Sequence, residues 1–339
     1  MINPLVSVII PTYNRADTVQ RSIDSALEQS YCPMEVIVVD DGSTDATVGV
    51  LEGYGERIRF ISQKNAGPSA ARNAGVGLSR GEFIAFLDSD DTWKSSKIAR
   101  QVKVMIDGGG TVPCCMCNAE LIDEDGPGRT TFGVSGVMSR LQEGFWANPA
   151  PIIATRFILF NQVALLRRDA FEKVGGFNPE MRLLEDHDLA FRLSLLGPWA
   201  FVAEPLVEKY NDTRGIGVIA MQDPLVHSRA WRNVLECFLE YLNAAAGADP
   251  QVGHLVRHAL ADVQGEIQSV EMLLNGSRLG RVAARIRMFS ASKRHALRRR
   301  MPGWPRVQAL ASLPCDHDGG NLSPEFLTMP LSPKSKINP

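Results

Sequence analysis

Short apolar runs alternate with amphipathic stretches along the first hundred residues, which is how βαβ units and a mostly parallel sheet look in sequence. Residues 6–10 read as a strand, and 16–29 as a helix with Val19, Ile23, Ala26 and Leu27 on one face. A strand is predicted at 36–39, a helix at 45–53, a strand at 58–62, and a helix opened by Pro68, a residue suited to the first helical position. Residues 83–87 complete this series as a fourth strand. In open sheets of this kind ligands sit beyond the carboxyl ends of the strands, near a switch in strand order, so the residues that follow each strand matter most.

The pattern then loosens. A helix is expected at 94–106, a strand at 112–116, a hairpin turn at Asp123-Glu124-Asp125-Gly126, a strand at 163–166 and a short helix from Asp169. The pair Gly175-Gly176 follows, then a helix over 186–196 and strands near Phe201 and Val207. Helices are predicted over 225–246, 252–274 and 279–300, and the proline-rich polar end from Pro314 reads as a disordered tail.

Composition narrows the class. The 339 residues are 45% hydrophobic and 22% charged, as in a soluble globular protein. A net charge of −2 argues against a whole-chain nucleic-acid binder. The sum hides an asymmetry: residues 272–315 carry ten Lys or Arg and no acid, a charge of +10 that leaves −12 on the rest. Met1-Ile2-Asn3-Pro4 lacks the basic and apolar regions of a secretory signal. The most apolar stretch, 149–166, is interrupted by Arg156, Asn161 and Gln162, and an Arg at mid-bilayer costs about 2.5–3.5 kcal/mol. Six irregularly spaced cysteines read as reduced thiols. A cytoplasmic protein without a membrane span is the expectation.

Three strand ends carry candidate chemistry. The first runs into Pro11-Thr12-Tyr13-Asn14-Arg15 and the second into Asp40-Asp41-Gly42-Ser43-Thr44-Asp45. Tyr13 could stack on a nucleobase while Asp41 accepts from a uracil imide N–H; taken singly, each is equally an ordinary βα turn. The fourth runs into Asp88-Ser89-Asp90-Asp91. Three carboxylates in four residues exceed what a helix cap needs, and a hard divalent cation shared with substrate phosphates would balance them. Arg72, one turn into the helix opened by Pro68, could pair with a diphosphate or, as a surface arginine, with an acid. Glu185-Asp186 begins a later helix, where carboxylates are favoured by the macrodipole, and Asp186 in a cleft would be placed as a general base.

Together these motifs resemble family 2 glycosyltransferases of the GT-A fold. The resemblance rests on Val6-Ser7-Val8-Ile9-Ile10-Pro11-Thr12-Tyr13-Asn14, Asp40-Asp41-Gly42-Ser43, Asn65-x-Gly67 with Ala71-Arg72-Asn73, Leu87-Asp88-Ser89-Asp90-Asp91, Val174-Gly175-Gly176-Phe177 and Glu185-Asp186, and spans roughly residues 5–210. It implies an α/β fold with a mixed sheet flanked by helices. The catalytic domain would occupy 1–215, with nucleotide-sugar binding in 1–120 and the acceptor half in 121–215. A helical extension over 216–312 and a tail over 313–339 would follow. It also implies that Pro11, Thr12, Tyr13 and Asp41 hold the base and that Arg72 lies near the nucleotide. Asp88 would lie near ribose or metal-bound water, and Asp90 would bind Mn²⁺ or Mg²⁺. Asp186 would be the catalytic base, with Glu185, Gly175 and Gly176 on the acceptor side and the segment 157–163 shaping the acceptor cleft. The expected reaction is metal-dependent, inverting transfer from a nucleotide sugar, UDP-linked, to a hydroxyl of a glycan or lipid-linked glycan in surface polysaccharide assembly. Transfer to a polyprenyl phosphate, or a non-catalytic nucleotide-sugar-binding module, are the alternatives. The chain departs from similar bacterial enzymes after Tyr210: it reads Asn211-Asp212-Thr213-Arg214 where they often carry an Arg and a His, and Arg214 or His227 are the candidates to substitute.

Other motifs carry less. Cys114-Cys115-Met116-Cys117 has no second pair to complete a zinc site and reads as a buried strand. His254 and His258, one helical turn apart, read as an exposed face. Gly75-x-Gly77 closes a helix rather than opening one, against a dinucleotide-binding motif. Over 278–300, Leu279, Val282, Ala283, Ile286 and Phe289 form an apolar stripe flanked by arginines, suited either to an anionic membrane surface at the inner face or to docking on the catalytic domain.

Overall fold

The computed structural model describes residues 3–123, 126–137, 139–156, 159–210, 223–245, 249–275 and 309–310. Its first part is β1 (Val6–Thr12), α1 (Val19–Leu27), β2 (Met34–Asp40), α2 (Thr47–Glu52), β3 (Arg59–Ser62), α3 (Pro68–Leu78) and β4 (Phe83–Phe86). There follow β5 (Thr92–Trp93), α4 (Lys97–Asp107), β6 (Cys114–Asp123), β7 (Gly126–Thr130), α5 (Thr131–Ser135), β8 (Glu143–Trp146) and α6 (Ala150–Thr155). The remainder is β9 (Ala164–Arg167), α7 (Arg168–Lys173), α8 (Glu185–Ser194), β10 (Trp199–Tyr210), α9 (Pro224–Ala244), α10 (Pro250–Asn275) and β11 (Ala309–Leu310).

One mixed sheet runs β11-β8-β10-β6-β9-β4-β1-β2-β3, with β5 on β10 and β7 on β6. The parallel block is β3-β2-β1-β4; β9 then pairs antiparallel with both β4 and β6. The chain builds β1, β2 and β3 in one direction and returns to lay β4 on the other side of β1, so the switch in strand order falls at β1. Thr12, Asp40 and the residues after Phe86 therefore end at one crevice.

Strands β1 and β4 and most of β2 are buried on both faces, which explains their near-continuous apolar runs, while β3 at the edge is exposed to half-buried. On the far side, Trp146 stacks on Phe201 at 5.5 Å between ring centroids, and α4 packs across β6 and β10. Cys114, Cys115 and Cys117 are buried free thiols in β6, and His254 and His258 are exposed on α10, as their patterns predict. Helices α9 and α10 pack on each other, α9 also against α8 and α10 against α6. No helix among the described residues is long and apolar enough to cross a membrane.

Some expectations change. The predicted strands near Phe201 and Val207 are one twelve-residue strand whose register shifts on either side of Pro205, because proline has no N–H to give the ladder. The first helix is shorter than 16–29: Ala16 N–H donates to Asp45 Oδ2, so these residues serve as a loop clamp first. Strand β6 extends past Met116 because it gains β7 and β10 as partners. The predicted basic helix at 279–300, the tail over 313–339 and Arg214 lie outside the described residues.

Helix α3 lies tight on β1 and β2 because Gly75 faces them. A Cβ there would stand 2.5 Å from Ile9 Cγ2 and 3.2 Å from Val39 Cγ2. Gly75→Ala is expected to destabilise the protein by about 1–3 kcal/mol through overpacking, seen as a lowered thermal midpoint. An unchanged midpoint would show that α3 can lift off the sheet at no cost.

Candidate active site

The crevice at the strand ends is built by loops that hold one another. Asn14 has φ +52°, a conformation that asparagine tolerates better than most residues. Its N–H donates to Ser43 Oγ at 2.9 Å, and its Oδ1 accepts from Thr44 N–H at 2.8 Å. The loops after β1 and β2 are thereby joined. Pro11 and Thr12 are buried, while Tyr13 is 45% exposed, an open aromatic face beside them. Asp41 is buried and holds the next loop: Oδ1 accepts from Gln63 Nε2 at 2.7 Å and Ala66 N–H at 2.9 Å, and Oδ2 from Gly67 N–H at 2.8 Å. That places a carboxylate one residue ahead of α3, where the helix dipole favours it. Each oxygen has two acceptor positions, so Oδ2 keeps one for a ligand.

Arg72 crosses the crevice. Its guanidinium is 4% exposed and donates through Nη2 to Asp88 Oδ1 at 2.7 Å and through Nη1 to Glu185 Oε1 at 2.9 Å. Burial works against the cation, but the two carboxylates outweigh it and hold its pKa above the ordinary arginine value. Arg72 thus ties β4's loop to the start of α8.

In the acidic loop, Asp88, Asp90 and Asp91 bring carboxylate oxygens within 4.8 Å of one another. Each has a cation near it. Asp88 has Arg72; Asp90 has Arg15 Nε at 4.0 Å; buried Asp91 has Lys209 Nζ at 3.3 Å and accepts from Tyr210 N–H at 2.9 Å. Arg21 donates to the Asp90 carbonyl at 2.5 Å. Hard oxygen donors at this spacing suit Mg²⁺ or Mn²⁺, and Asp88 and Asp90 are partly buried where Asp91 is fully buried.

Glu185 and Asp186 begin α8, after Leu184 at φ +61°. Asp186 is partly buried, its Oδ1 accepting from His187 N–H at 2.8 Å. Burial first, then the neighbouring Glu185 charge, push Asp186 up to about 7, against the pull of Arg72. Behind it, His187 is fully buried and driven down to about 4 by burial; its Nε2 meets Ile153 O at 3.1 Å and its ring lies against Trp231 and Phe238 of α9. Asp188 is held by Arg192 and by Tyr241 Oη at 3.0 Å.

The double-glycine turn is a bracket. Both glycines have positive φ, and a Cβ on Gly176 would meet Asn73 Oδ1 at 3.0 Å. Asn73 Nδ2 donates to Phe177 O and Arg192 to Val174 O and Gly176 O, so the turn ties α3 to α8 while Phe177 packs on Phe86.

Residues 7–175 match the model of the Glycosyl transferase family 2 family. The chain belongs to that family. This family 2 chain is 30% identical over 206 residues to a Rickettsia prowazekii protein described as an uncharacterized glycosyltransferase, covering 61% of this chain and 64% of that one. It therefore spans a little under two thirds of that relative's length. It is 40% identical over 125 residues to the succinoglycan biosynthesis protein ExoO of Rhizobium meliloti, covering 36% of this chain and 35% of that one. The structure of Staphylococcus aureus TarS residues 1–349 in complex with UDP-GlcNAc superposes with a TM-score of 0.59 at 18% identity, over 86% of this chain and 80% of that one. The likeness to TarS is one of fold, the GT-A arrangement of a mixed sheet flanked by helices, with C-terminal helices present.

The structure gathers the sequence-predicted residues of this glycosyltransferase family member at one crevice in two groups. Pro11, Thr12, Tyr13 and Asp41 lie at the base of β1 and β2; Arg72, Asp88, Glu185 and Asp186 form a connected charge network with Asp90 beside it. The Gly175-Gly176 turn is held by Asn73 and Arg192, and the ring of Phe177 that follows it lies 5.3 Å from the Arg72 guanidinium. Sequence reasoning missed Lys209, Arg15 and Gln162. The last had a signal, as a polar residue interrupting a buried apolar run.

Between the ordinary aspartate value of 3.8 and about 7, the folded protein keeps a proton on Asp186 that the unfolded chain has lost, so this group's contribution to stability declines as pH rises through that window and is level above it. In metal-free buffer the melting temperature of Asp186→Asn is expected to gain on the unmodified protein between pH 4 and 7. Parallel curves would refute the raised value.

Proposed function

We propose that the protein transfers a sugar from a nucleotide diphosphate donor, UDP-linked, to a hydroxyl of a glycan or lipid-linked glycan, with inversion. The observation that carries this reading is the position of Asp186: it begins α8 beside Glu185, which Arg72 ties to Asp88 of the acidic loop, and burial with the Glu185 charge pushes its carboxyl up to about 7. An ordinary carboxylate is a weak base toward an alcohol; one with a pKa near 7 is better matched to taking the proton in the transition state.

The base end of the donor is assigned to Tyr13, for stacking, and to Asp41, whose Oδ2 keeps an acceptor position for an imide N–H. Asp186 takes the acceptor hydroxyl's proton as that oxygen bonds to the anomeric carbon, and the bond from that carbon to the diphosphate oxygen breaks, its electron pair leaving with the diphosphate. A Mn²⁺ or Mg²⁺ ion held by Asp90, with Asp88 nearby, would supply positive charge facing the diphosphate. Arg72 holds Asp88 and Glu185 in place for this, and its buried charge adds to the positive field. The names of ExoO and TarS, a succinoglycan biosynthesis protein and a protein crystallised with UDP-GlcNAc, support a polysaccharide acceptor and a UDP-sugar donor. The basic stretch at 278–300 suits an acceptor carried on an anionic lipid surface.

Asp186→Asn is expected to lower kcat by about 10²–10⁴-fold while UDP binding is kept. The rate for the unmodified protein should rise with pH through about 7 as Asp186 loses its proton. Near-normal turnover in Asp186→Asn would instead favour a phosphate acceptor, which needs no strong base. For the metal, Asp90→Ala should abolish the extra melting-temperature rise that Mn²⁺ gives in the presence of UDP; a rise that survives removes Asp90 as its ligand.

A further inference from the structure

Gln162 lies in a short 3-10 turn, Asn161–Val163, just before β9. That turn packs against β4, whose following loop carries Asp88. The side chain is 3% exposed, and its Nε2 donates to Asp88 Oδ2. A carboxylate oxygen only accepts, so the amide nitrogen has to face Asp88 and the carbonyl oxygen Oε1 becomes the outward end of the group. That Oε1 is buried and has no hydrogen-bond partner. Buried polar atoms are almost always satisfied, and exceptions call for a ligand or a water.

Two side chains pin the backbone around Gln162. Trp93 Nε1 donates to Gln162 O at 3.0 Å, Gln101 Nε2 donates to Val163 O at 2.8 Å, and Gln101 is itself held by the buried Lys97 at 2.8 Å. The carbonyl is therefore preset beside Asp88 rather than free to turn away.

We propose that Gln162 is a donor-specificity residue, whose side-chain carbonyl accepts a hydrogen bond from a hydroxyl of the nucleotide sugar. This rests on the glycosyltransferase reading above. Diphosphate oxygens carry no hydrogen to give, and the uracil imide is assigned to Asp41 at the other end of the crevice. That leaves the hydroxyls of ribose or of the transferred sugar, which share one chemistry and are separated by the test.

The experiment is calorimetric titration, with Mn²⁺ present, of the unmodified protein and of Gln162→Met with UDP, 2′-deoxy-UDP, 3′-deoxy-UDP, UDP-glucose and UDP-GlcNAc. Gln162→Asn and the deoxy analogues on unmodified protein serve if the Met variant does not fold. About tenfold weaker binding is expected, the usual effect of one lost hydrogen bond. If the loss appears with UDP and vanishes with one deoxy analogue, the hydroxyl is on ribose. If UDP is unaffected and a UDP-sugar is weakened, it is on the transferred sugar. An equal loss for every ligand overturns the proposal, because Gln162 then acts only by placing Asp88. No loss at all overturns it in favour of an ordered water on Oε1. Failure of the underlying reading looks different: the unmodified protein binds none of the five ligands, and the proposal falls with it.

Discussion

The buried guanidinium of Arg72 is the joint on which the site depends. It sits on α3, reaches Asp88 on the loop after β4, and reaches Glu185 at the start of α8, three segments far apart in the chain. Breaking a buried pair by removing one partner typically costs about 3–5 kcal/mol, since the charge left behind has no compensation. Here two carboxylates would be stranded at once, so the arginine has to be in place for the acids around it to be tolerated. Its position rests in turn on the close approach of α3 to the sheet at Gly75, and on Asp41, which holds the loop leading into that helix.

The acidic loop shows the same logic. Three carboxylates within 4.8 Å would repel one another if left alone, but Arg72, Arg15 and Lys209 stand beside Asp88, Asp90 and Asp91 in turn. The three pairs are unequal. Asp91 is fully buried and bonded to the end of β10, so it serves as a strut between the loop and the last strand. Asp88 and Asp90 are only partly buried and stay open to the crevice side of the loop's acidic cluster.

The C-terminal helices belong to the site through their support of α8. Tyr241 reaches Asp188, and Trp231 and Phe238 enclose His187, so the residues that directly follow Asp186 are fixed by α9. Burial keeps His187 neutral at ordinary pH and removes it as a rival base beside Asp186. Among the described residues, the helical extension meets the site by fixing α8.

The apolar periodicity of the first hundred residues was enough to order the strands and helices of the parallel block, because strands buried on both faces must be written as apolar runs. The same runs marked the strand ends, whose polar clusters offered Tyr13, Asp41, Asp88 and Asp90 as candidates; Asp186 came from the start of a later helix, and the resemblance to the family supplied the roles. What the sequence could not decide was which charges meet. Arg72 read as a partner for a diphosphate or for an acid, and the fold gives it Asp88 and Glu185; Gly175 and Gly176 read as part of an acceptor cleft, and the fold shows that their turn also brackets α3 to α8. Gln162 read only as an interruption, and the turn before β9 brought it to Asp88. Local pattern sets secondary structure because burial is paired with a repeat. The pairing of distant polar groups depends on strand order and register, which only the packed sheet determines.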